Sequence, residues 1–286
     1  DFESFLTAFI QVVKTLRTPQ DLAEISADYL EKSAQEGVRH VEFLFSPATL
    51  RHFFPDINLS AIVAAIHAEC LRARAEHNVS SVMIFDIVRN LGEQAALADL
   101  DLAVRSKGYG VVGVGLGGDE RRFPARDFSS VFDQAKRLGL RRTAHAGEAD
   151  GSQSIVDAIT ILHAERLGHA VAAAGEEDVL KLIRERAVTV DACLTSNAVT
   201  RAWNGKGAHP LVEFLKAGIS VTLNSDDPAF FRASLLDEYS LAAEQGLGRT
   251  DLAQLARNSF QSSFASDKEK RTWLRELDAY METARG

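Results

Sequence analysis

Two short polar segments of the sequence contain residue types that could hold a metal and move a proton. In segment 143–148, His145 stands three residues before Glu148 and closes an apolar run. Histidine is the commonest metal ligand, and a nearby carboxylate can act as general acid or base toward a metal-activated water. A His-x-x-Glu spacing is weak evidence on its own, because most such pairs are solvated or structural.

The second polar segment, 224–228, closes another apolar run and places Asp226 beside Asp227. Adjacent carboxylates repel each other unless a positive charge lies near them, and a metal ion would supply that charge. The alternative is that the two aspartates cap the helix that follows. Two acidic segments in equivalent positions make a shared metal site more plausible than either segment alone.

The histidines differ in what their positions predict. A catalytic zinc takes about three protein ligands and a water, whereas His145 and Asp226 supply two. His169, at the end of the run 166–169, is a third ligand, a partner of the activated water, or a structural histidine. His209 precedes Pro210 and is predicted to start a helix. The remaining histidines are predicted to be structural, solvated or capping: His40, His52, His67, His77 and His163.

Length and charge limit the class of protein. The chain has 286 residues, of which 46% are hydrophobic and 25% charged, so a single domain over residues 1–286 is expected. The formal net charge of −8 argues against a nucleic-acid or anionic-membrane partner and favours a small-molecule substrate. No sequence feature predicts the oligomeric state.

Cysteine use and hydropathy indicate the compartment. Cys70 and Cys193 lie far apart in apolar runs, which predicts reduced core cysteines rather than a disulfide. Neither a membrane-spanning run nor a secretory signal segment is evident. A cytoplasmic protein is therefore expected.

Helices and strands that alternate along the chain must position these residues. Segment 2–16 has the apolar spacing of an amphipathic helix, and Thr18 with Pro19 predicts the start of a second helix. Each later helix leads into a short apolar run. The predicted strands are 38–45, 79–88, 111–116, the run ending at His145, 166–169, 187–194 and 219–223, and the predicted helices between them include 60–76, 93–106, 127–138, 154–163, 176–185 and 210–216.

Seven strands, each reached through a helix, fit either an open doubly wound sheet or a (β/α)8 TIM-type barrel whose first strand is missing from the chain. The glycine-rich run 111–118 is followed by Asp119 and Glu120 instead of a helix, so no dinucleotide fingerprint is present. The barrel is favoured, because it gathers strand ends on one face. The polar residues predicted at those ends are Glu42, Asp86, Asp119, Glu120, His145, Glu148, His169, Ser196, Asn197, Asp226 and Asp227.

Five ordered segments of the sequence resemble the motifs of the adenosine/adenine deaminase family, whose members are zinc enzymes on a (β/α) barrel. The segments are 143–148, 166–169, 193–197, 209–211 and 222–228. The resemblance implies that His145 and Asp226 are zinc ligands, that Glu148 protonates purine N1, and that His169 orients the zinc-bound hydroxide. A role in purine metabolism follows from it.

The same resemblance implies two substrate contacts, Asp227 with purine N7 and Gly118 with N3. The expected reaction is hydrolytic deamination of a 6-aminopurine with Zn²⁺ as the cofactor. A cytidine-deaminase type of zinc site is excluded, because its H-x-E and P-C-x-x-C signature is absent.

The sequence departs from the family pattern because it contains no H-x-H pair, which members carry on the first strand. One strand and two ligands are therefore both missing. The expectation is an N-terminally incomplete barrel domain that binds zinc weakly and has negligible activity until its upstream segment is added.

The choice of substrate rests on two segments. Segment 117–120 favours adenosine, which is the main expectation, whereas segment 224–231 is similar to enzymes acting on adenine. A third alternative is aminodeoxyfutalosine, whose bulky 5′ substituent Arg201 or Arg232 would contact. A fourth is a catalytically silent purine-binding barrel.

Overall fold

The computed structural model describes residues 2–283, in which helices and parallel strands alternate. The strands are β1 (His40–Phe45), β2 (Ser80–Val88), β3 (Val111–Gly117), β4 (Arg141–Ala146), β5 (Arg166–His169), β6 (Thr189–Ala192) and β7 (Val221–Leu223). The helices are α1 (Phe2–Val13), α2 (Pro19–Gln35), α3 (Pro47–Phe53), α4 (Leu59–His77), α5 (Gly92–Arg105), α6 (Ser129–Arg137), α7 (Ser152–Thr160), α8 (Glu177–Glu185), α9 (Leu194–Thr200), α10 (Pro210–Lys216), α11 (Pro228–Phe231), α12 (Leu235–Glu244), α13 (Arg249–Ser262) and α14 (Asp267–Thr283). The predicted number of strands is confirmed within residues 2–283.

The start of α2 shows how local sequence sets a helix boundary. The hydroxyl of Thr18 accepts a hydrogen bond from the Asp21 amide at 3.1 Å, and the Asp21 carboxylate accepts one from the Thr18 amide at 2.8 Å. Pro19 follows at the first helical position, where its missing N–H costs nothing. This reciprocal capping box confirms the predicted cap.

Residues 2–283 divide into two compact units. The N-terminal unit comprises Phe2–Ala144 and Ile161–His163 and contains β1, β2, β3 and the first residues of β4. Its strands pair in parallel, with Phe45 opposite Phe85 and Val114 opposite Arg142. The middle strands bury most of their apolar side chains, including Ile84, Phe85, Ile87, Val114 and Leu116. Burial on both faces explains why these runs do not alternate between apolar and polar residues.

The C-terminal unit comprises His145–Thr160 and the described residues from Ala164 onward. Its strands β5, β6 and β7 pair in parallel, and a chain of polar contacts crosses them. Arg166 Nε lies 3.2 Å from Asp191 Oδ2, and the Thr222 hydroxyl donates to Asp191 Oδ1 at 2.8 Å. The Asn224 amide then donates to the Thr222 hydroxyl at 2.7 Å. These contacts hold the carboxyl end of β7, from which the segment with Asp226 leaves.

The structure corrects four details of the sequence-based assignment. Glu42 and Asp86 lie within β1 and β2 rather than after them. Strand β6 is shorter than predicted, because Ala187 has a left-handed φ of 51° and α9 begins at Leu194. Ser196 and Asn197 therefore lie on a helix. The predicted helix 127–138 is split into a 3-10 turn (Ala125–Phe128) and α6.

Other predictions concern single side chains. Cys70 and Cys193 are free and buried, as expected for reduced core cysteines. His40 is structural, since its Nδ1 lies 2.7 Å from the Ser80 hydroxyl and its Nε2 lies 3.2 Å from Glu42 Oε1. Within residues 2–283, no helix has both the length and the apolar character required to cross a bilayer. The single domain over residues 1–286 stays a prediction.

Candidate active site

Three predicted site residues of the C-terminal unit lie close together. His145 stands near the end of β4, His169 ends β5, and Asp226 follows the end of β7. One ligand atom from each lies within 4.8 Å of the other two. Within the described part of the chain, no other group of three histidine, cysteine or acidic side chains is arranged in this way. The structure thus brings together residues that are separated by 81 positions in the sequence, from 145 to 226.

The backbone at this cluster adopts conformations that non-glycine residues rarely use. His169, Ala170 and Asp226 have φ values of 67°, 51° and 56°, all in the left-handed region. The Ala170 amide donates to the Ala146 carbonyl at 3.1 Å, which joins the end of β5 to the end of β4. Each such residue costs on the order of 1–3 kcal/mol, and such strain is concentrated at functional sites.

Gly147 makes the turn that brings Glu148 into the cluster. Its φ is 71°, and a Cβ atom at this position would lie 2.5 Å from Ile155 Cδ1. A side chain is therefore excluded both by the backbone conformation and by the neighbouring isoleucine. The carboxylate of Glu148 lies beside His169, with its Oε2 3.6 Å from His169 Nε2. The Glu148 side chain is 9% exposed, so it is shielded from bulk water.

His169 is the centre of the group. Its side chain is 2% exposed, and its ring centroid lies 5.3 Å from that of His145. Besides Glu148, its Nε2 lies 4.0 Å from Asp226 Oδ2. The Asp226 side chain is 18% exposed, although the residue as a whole, with its backbone, is more open. Two carboxylates therefore face one ring nitrogen in a largely dry environment.

This donor set fits a divalent cation. Imidazole nitrogens and carboxylate oxygens are the usual ligands of catalytic zinc, and a cation would offset the repulsion between the Glu148 and Asp226 carboxylates. Cys193 is not part of the set, since burial raises the pKa of its thiol well above the usual range and disfavours a thiolate.

The structure separates the two adjacent aspartates. Asp226 belongs to the cluster, whereas Asp227 stands at the N-cap position of α11. The Asp227 carbonyl accepts hydrogen bonds from the Phe230 and Phe231 amides, both at 3.0 Å. The position of Asp227 agrees with the capping alternative, but its side chain makes no capping hydrogen bond, so the two aspartates do not act as a pair of capping side chains.

Gly118 belongs to the N-terminal unit and follows the end of β3. Its φ is 97°, and a Cβ there would lie 2.5 Å from Asn90 Oδ1. That oxygen accepts a hydrogen bond from the Asp119 amide at 2.9 Å, while the Asp119 carboxylate pairs with Arg122. The backbone at Gly118 is thus fixed by Asn90. Its contact with purine N3 stays a prediction.

Two buried residues behind His169 were not assigned a catalytic role from the sequence. Asn197 on α9 is fully buried, and its amide nitrogen lies 2.9 Å from His169 Nδ1. His209 Nε2 lies 3.1 Å from Asn197 Oδ1, and His209 Nδ1 accepts from the Leu211 amide at 3.1 Å. The predicted helix-start role of His209 is confirmed. Burial, followed by the nearby His169, lowers the pKa of His209 to about 4.

Glu238 is a further buried residue near the site whose role the sequence does not predict. It is fully buried on α12, and its carboxylate accepts from the Leu194 amide at 2.6 Å and the Thr195 amide at 3.1 Å. These are amides of the first turn of α9, where a negative charge is favourable. Glu238 therefore positions the helix that carries Asn197. No local sequence signal indicates a contact across 44 positions.

Comparisons with known proteins give a consistent result. Residues 1–280 match a family model described as adenosine deaminase. The adenine deaminase of Cupriavidus metallidurans is 35% identical over 281 residues, which are 98% of this chain and 78% of that protein. The aminodeoxyfutalosine deaminase of Streptomyces avermitilis is 36% identical over 285 residues, again 98% of this chain and 78% of that protein.

Solved structures agree with the sequence comparisons. The adenine deaminase of Arthrobacter aurescens superposes with a TM-score of 0.92 at 32% identity and covers 99% of this chain and 86% of its own. An amidohydrolase of Burkholderia ambifaria, solved with bound zinc, has a TM-score of 0.86 at 25% identity and covers 94% of this chain and 76% of its own. The likeness confirms the predicted TIM-type (β/α) fold class.

Proposed function

Because this chain belongs to the adenosine deaminase family, we propose that the cluster of His145, Glu148, His169 and Asp226 is the active site of a metal-dependent adenine deaminase. Hydrolytic deamination of adenine or a related aminopurine is the activity that family membership carries. The finer proposals concern the metal, the roles of the residues and the choice of adenine.

The observation that carries the proposal is the convergence of two imidazoles and a carboxylate within 4.8 Å, with Glu148 beside them. His145 and Asp226 would hold zinc, for which both offer suitable ligand atoms. When bound, zinc lowers the pKa of water and so supplies a nucleophile at neutral pH. The bound zinc of the Burkholderia protein supports this choice of metal.

Glu148 is proposed as the general acid. In hydrolytic deamination, the water oxygen bonds to C6 and a proton is delivered to N1 of the purine ring. The exocyclic amine then takes up a proton and leaves as ammonia when the C6–N bond breaks. A carboxyl group that is 9% exposed holds such a proton away from bulk water, which makes its transfer specific.

His169 is proposed to orient the attacking water. Its ring is held from behind by Asn197, and its Nε2 faces the carboxylates of Glu148 and Asp226. Asp227 is proposed to hold purine N7 and Gly118 to meet N3, as the family resemblance implies. The separate position of Asp227 outside the ligand cluster supports a substrate role rather than a metal role.

Adenine is proposed as the substrate. It replaces adenosine, which was the main expectation from the glycine-rich segment 117–120. The Cupriavidus and Arthrobacter relatives are both adenine deaminases, and both match nearly the whole chain. The similarity of segment 224–231 to adenine-specific enzymes points the same way.

A second candidate substrate is aminodeoxyfutalosine, which the Streptomyces relative is named for. Two arginines support this candidate, because each stands directly after a helix next to the site, α9 with Asn197 and α11 with Asp227 at its N-cap. Arg201 follows α9 and Arg232 follows α11, each with a left-handed φ, of 65° and 52°. We propose that one of these two guanidinium groups contacts the 5′ substituent.

The test is ammonia release from adenine, adenosine and aminodeoxyfutalosine by the zinc-supplemented full-length protein. Adenine should have the highest kcat/KM. A higher kcat/KM for aminodeoxyfutalosine, lowered by Arg232→Ala, would support the second candidate. Absence of ammonia from all three compounds would contradict the proposal and support a silent purine-binding barrel.

Two further parts of the proposal concern partners and compartment. The net charge of −8 supports a small-molecule partner rather than nucleic acid or an anionic membrane. The two free, buried cysteines are typical of a reducing compartment, and we propose a cytoplasmic location.

A further inference from the structure

The hydrogen bond between the Leu211 amide and His209 determines where the proton of His209 lies. A backbone N–H can only donate, so His209 Nδ1, which accepts from it at 3.1 Å, carries no hydrogen. His209 is 1% exposed and neutral at pH 7, since burial lowers its pKa to about 4. A neutral imidazole has one N–H, which must then lie on Nε2.

That N–H fixes the orientation of the Asn197 side chain. His209 Nε2–H points at Asn197 from 3.1 Å and requires an acceptor, which is Oδ1. The amide nitrogen of Asn197 is therefore turned toward His169 Nδ1, at 2.9 Å. The two ends of an amide are often hard to tell apart, but here the backbone donor of Leu211 settles the direction.

The same reasoning reaches His169. An amide NH₂ only donates, so His169 Nδ1 must accept and its proton must lie on Nε2. That nitrogen faces Glu148 Oε2 at 3.6 Å and Asp226 Oδ2 at 4.0 Å, both of which are acceptors. The donors of Leu211, His209 and Asn197 thus each meet an acceptor, and His169 Nε2 is directed at two carboxylates beyond hydrogen-bond distance. A proton on Nδ1 would instead place two donors face to face at 2.9 Å.

We propose that Leu211, His209 and Asn197 form a relay that fixes the proton of His169 on Nε2, so that this nitrogen is a donor toward the attacking water that His169 is proposed to orient. This inference rests on the proposed function and deepens it, because it explains the role of His169, the third residue of the cluster with His145 and Asp226. An Nε2 that carries hydrogen has no lone pair to offer a cation. His209 and Asn197 are positioning residues that act through His169.

The relay gives a physical reason for the buried polar groups behind the site. Asn197 and His209 are 0% and 1% exposed, and burying an amide and an imidazole is costly unless their hydrogen bonds are made. Each gains two partners in the relay. Networks of this kind hold one arrangement when every member is satisfied.

The direct test is NMR of the metal-free full chain with ¹⁵N-labelled histidine, using two-bond ¹H–¹⁵N correlations. The relay predicts that His169 and His209 both carry a proton on Nε2 and none on Nδ1. A spectrum in which His169 carries its proton on Nδ1 would overturn the inference. The spectrum needs neither zinc nor substrate, so an inactive protein with this tautomer would contradict the proposed function alone.

The decisive variant is Asn197→Asp, which replaces the donating amide nitrogen by an accepting oxygen of nearly the same size. His209 and His169 can then both donate to the carboxylate, and the His169 proton should move to Nδ1. The kcat for adenine should fall at least about tenfold with little change in KM, because the donor toward the water is lost. An unchanged tautomer in this variant would overturn the relay.

Asn258→Asp is the matched control. Asn258 is also buried in the C-terminal unit, but its amide donates to the Val221 carbonyl at 2.8 Å, outside the relay. It should leave the His169 tautomer unchanged. A second variant, His209→Gln, keeps a donor toward Asn197 Oδ1 and should also keep the tautomer. If the Asn197→Asp variant does not fold, the wild-type and His209→Gln spectra still decide the question.

Discussion

Two buried groups of this molecule combine histidine with glutamate, and they differ in what the histidine contacts. In the N-terminal unit, His40 and Glu42 have side chains that are 6% and 11% exposed. In the C-terminal unit, His169 and Glu148 have side chains that are 2% and 9% exposed. Residue type and burial are therefore nearly the same in the two groups.

The contacts of the two imidazoles separate them. Both nitrogens of His40 have partners within 3.2 Å, Ser80 on one side and Glu42 on the other, and His40 lies in a regular strand. Only Nδ1 of His169 has a partner at such a distance, while its Nε2 stands 3.6 Å from Glu148. His169 also has a left-handed φ.

This difference shows how a structural histidine is distinguished from a functional one. A histidine whose two ring nitrogens are both bonded to side chains nearby crosslinks a sheet. In a functional histidine, one ring nitrogen is hydrogen-bonded and the other is directed at carboxylates beyond hydrogen-bond distance. This arrangement is typical of a site that binds a further group, such as a metal, a water or a substrate.

The largest expected effect is a difference in turnover between substitutions of the two glutamates, Glu148 and Glu42. Glu148→Gln should lower the turnover of adenine by about 10²- to 10⁴-fold, because general acid catalysis is lost while shape is kept. Glu42→Gln should leave turnover nearly unchanged. Steady-state ammonia release measures both variants. Near-normal turnover in Glu148→Gln would remove Glu148 from the mechanism.

The second effect concerns the two aspartates of the C-terminal unit. Asp226→Ala should lose most of the bound metal, since loss of a direct ligand costs more than the roughly 10- to 100-fold that loss of a supporting residue costs. Asp227→Ala should keep its metal and weaken substrate binding and turnover. Elemental analysis of both purified variants decides between them. Equal metal loss would show that the ligand set is wrongly assigned.

A smaller effect is the pH dependence of stability that His209 causes. Burial lowers its pKa from 6.5 to about 4, so the unfolded chain binds the proton more readily between these values. The stability due to neutral His209 is fully present above pH 6.5 and is lost as the pH falls through about 4, by roughly 3 kcal/mol. Relative to wild type, His209→Gln should lose less stability on acidification. Urea unfolding at several pH values measures this difference. A slope of stability against pH that is unchanged in the variant would contradict the prediction.

Asp99 of the N-terminal unit should act in the opposite direction. Burial raises the pKa of this carboxyl from 3.8 to about 6, and the neighbouring Arg51 offsets only part of that rise. The contribution of the protonated Asp99 carboxyl to stability is fully present below pH 3.8. It is lost as the pH rises through about 6, by roughly 2–3 kcal/mol. Compared with wild type, Asp99→Asn should lose less stability as the pH rises over this range. Urea unfolding at several pH values tests this prediction as well. A change in the slope of stability against pH that has the same sign as in His209→Gln would contradict the predicted difference between the two residues.

The sequence predicted the features that depend on local pattern. Helix and strand alternation, the Thr18 cap and the approach of His145, His169 and Asp226 all follow from spacing and from the ends of parallel strands. The left-handed φ of Asp226 has no such signal, because it depends on contacts made after folding.

Contacts between distant residues could not be predicted. Glu238 reaches the first amide of α9 from another helix, and nothing in its neighbourhood marks it as buried. The direction of the relay depends on which atom of Asn197 faces His209, which is a property of three-dimensional geometry. Sequence patterns locate the strand ends, whereas tertiary packing decides which polar atoms meet there.

The central claim is that the metal site lies in the C-terminal unit at His145 and Asp226. The most direct test is anomalous X-ray scattering at the zinc absorption edge, from crystals of the full-length protein grown with zinc. The account predicts one strong peak within bonding distance of His145 and Asp226. A peak at His40 and Glu42, or none at His145 and Asp226, would contradict it.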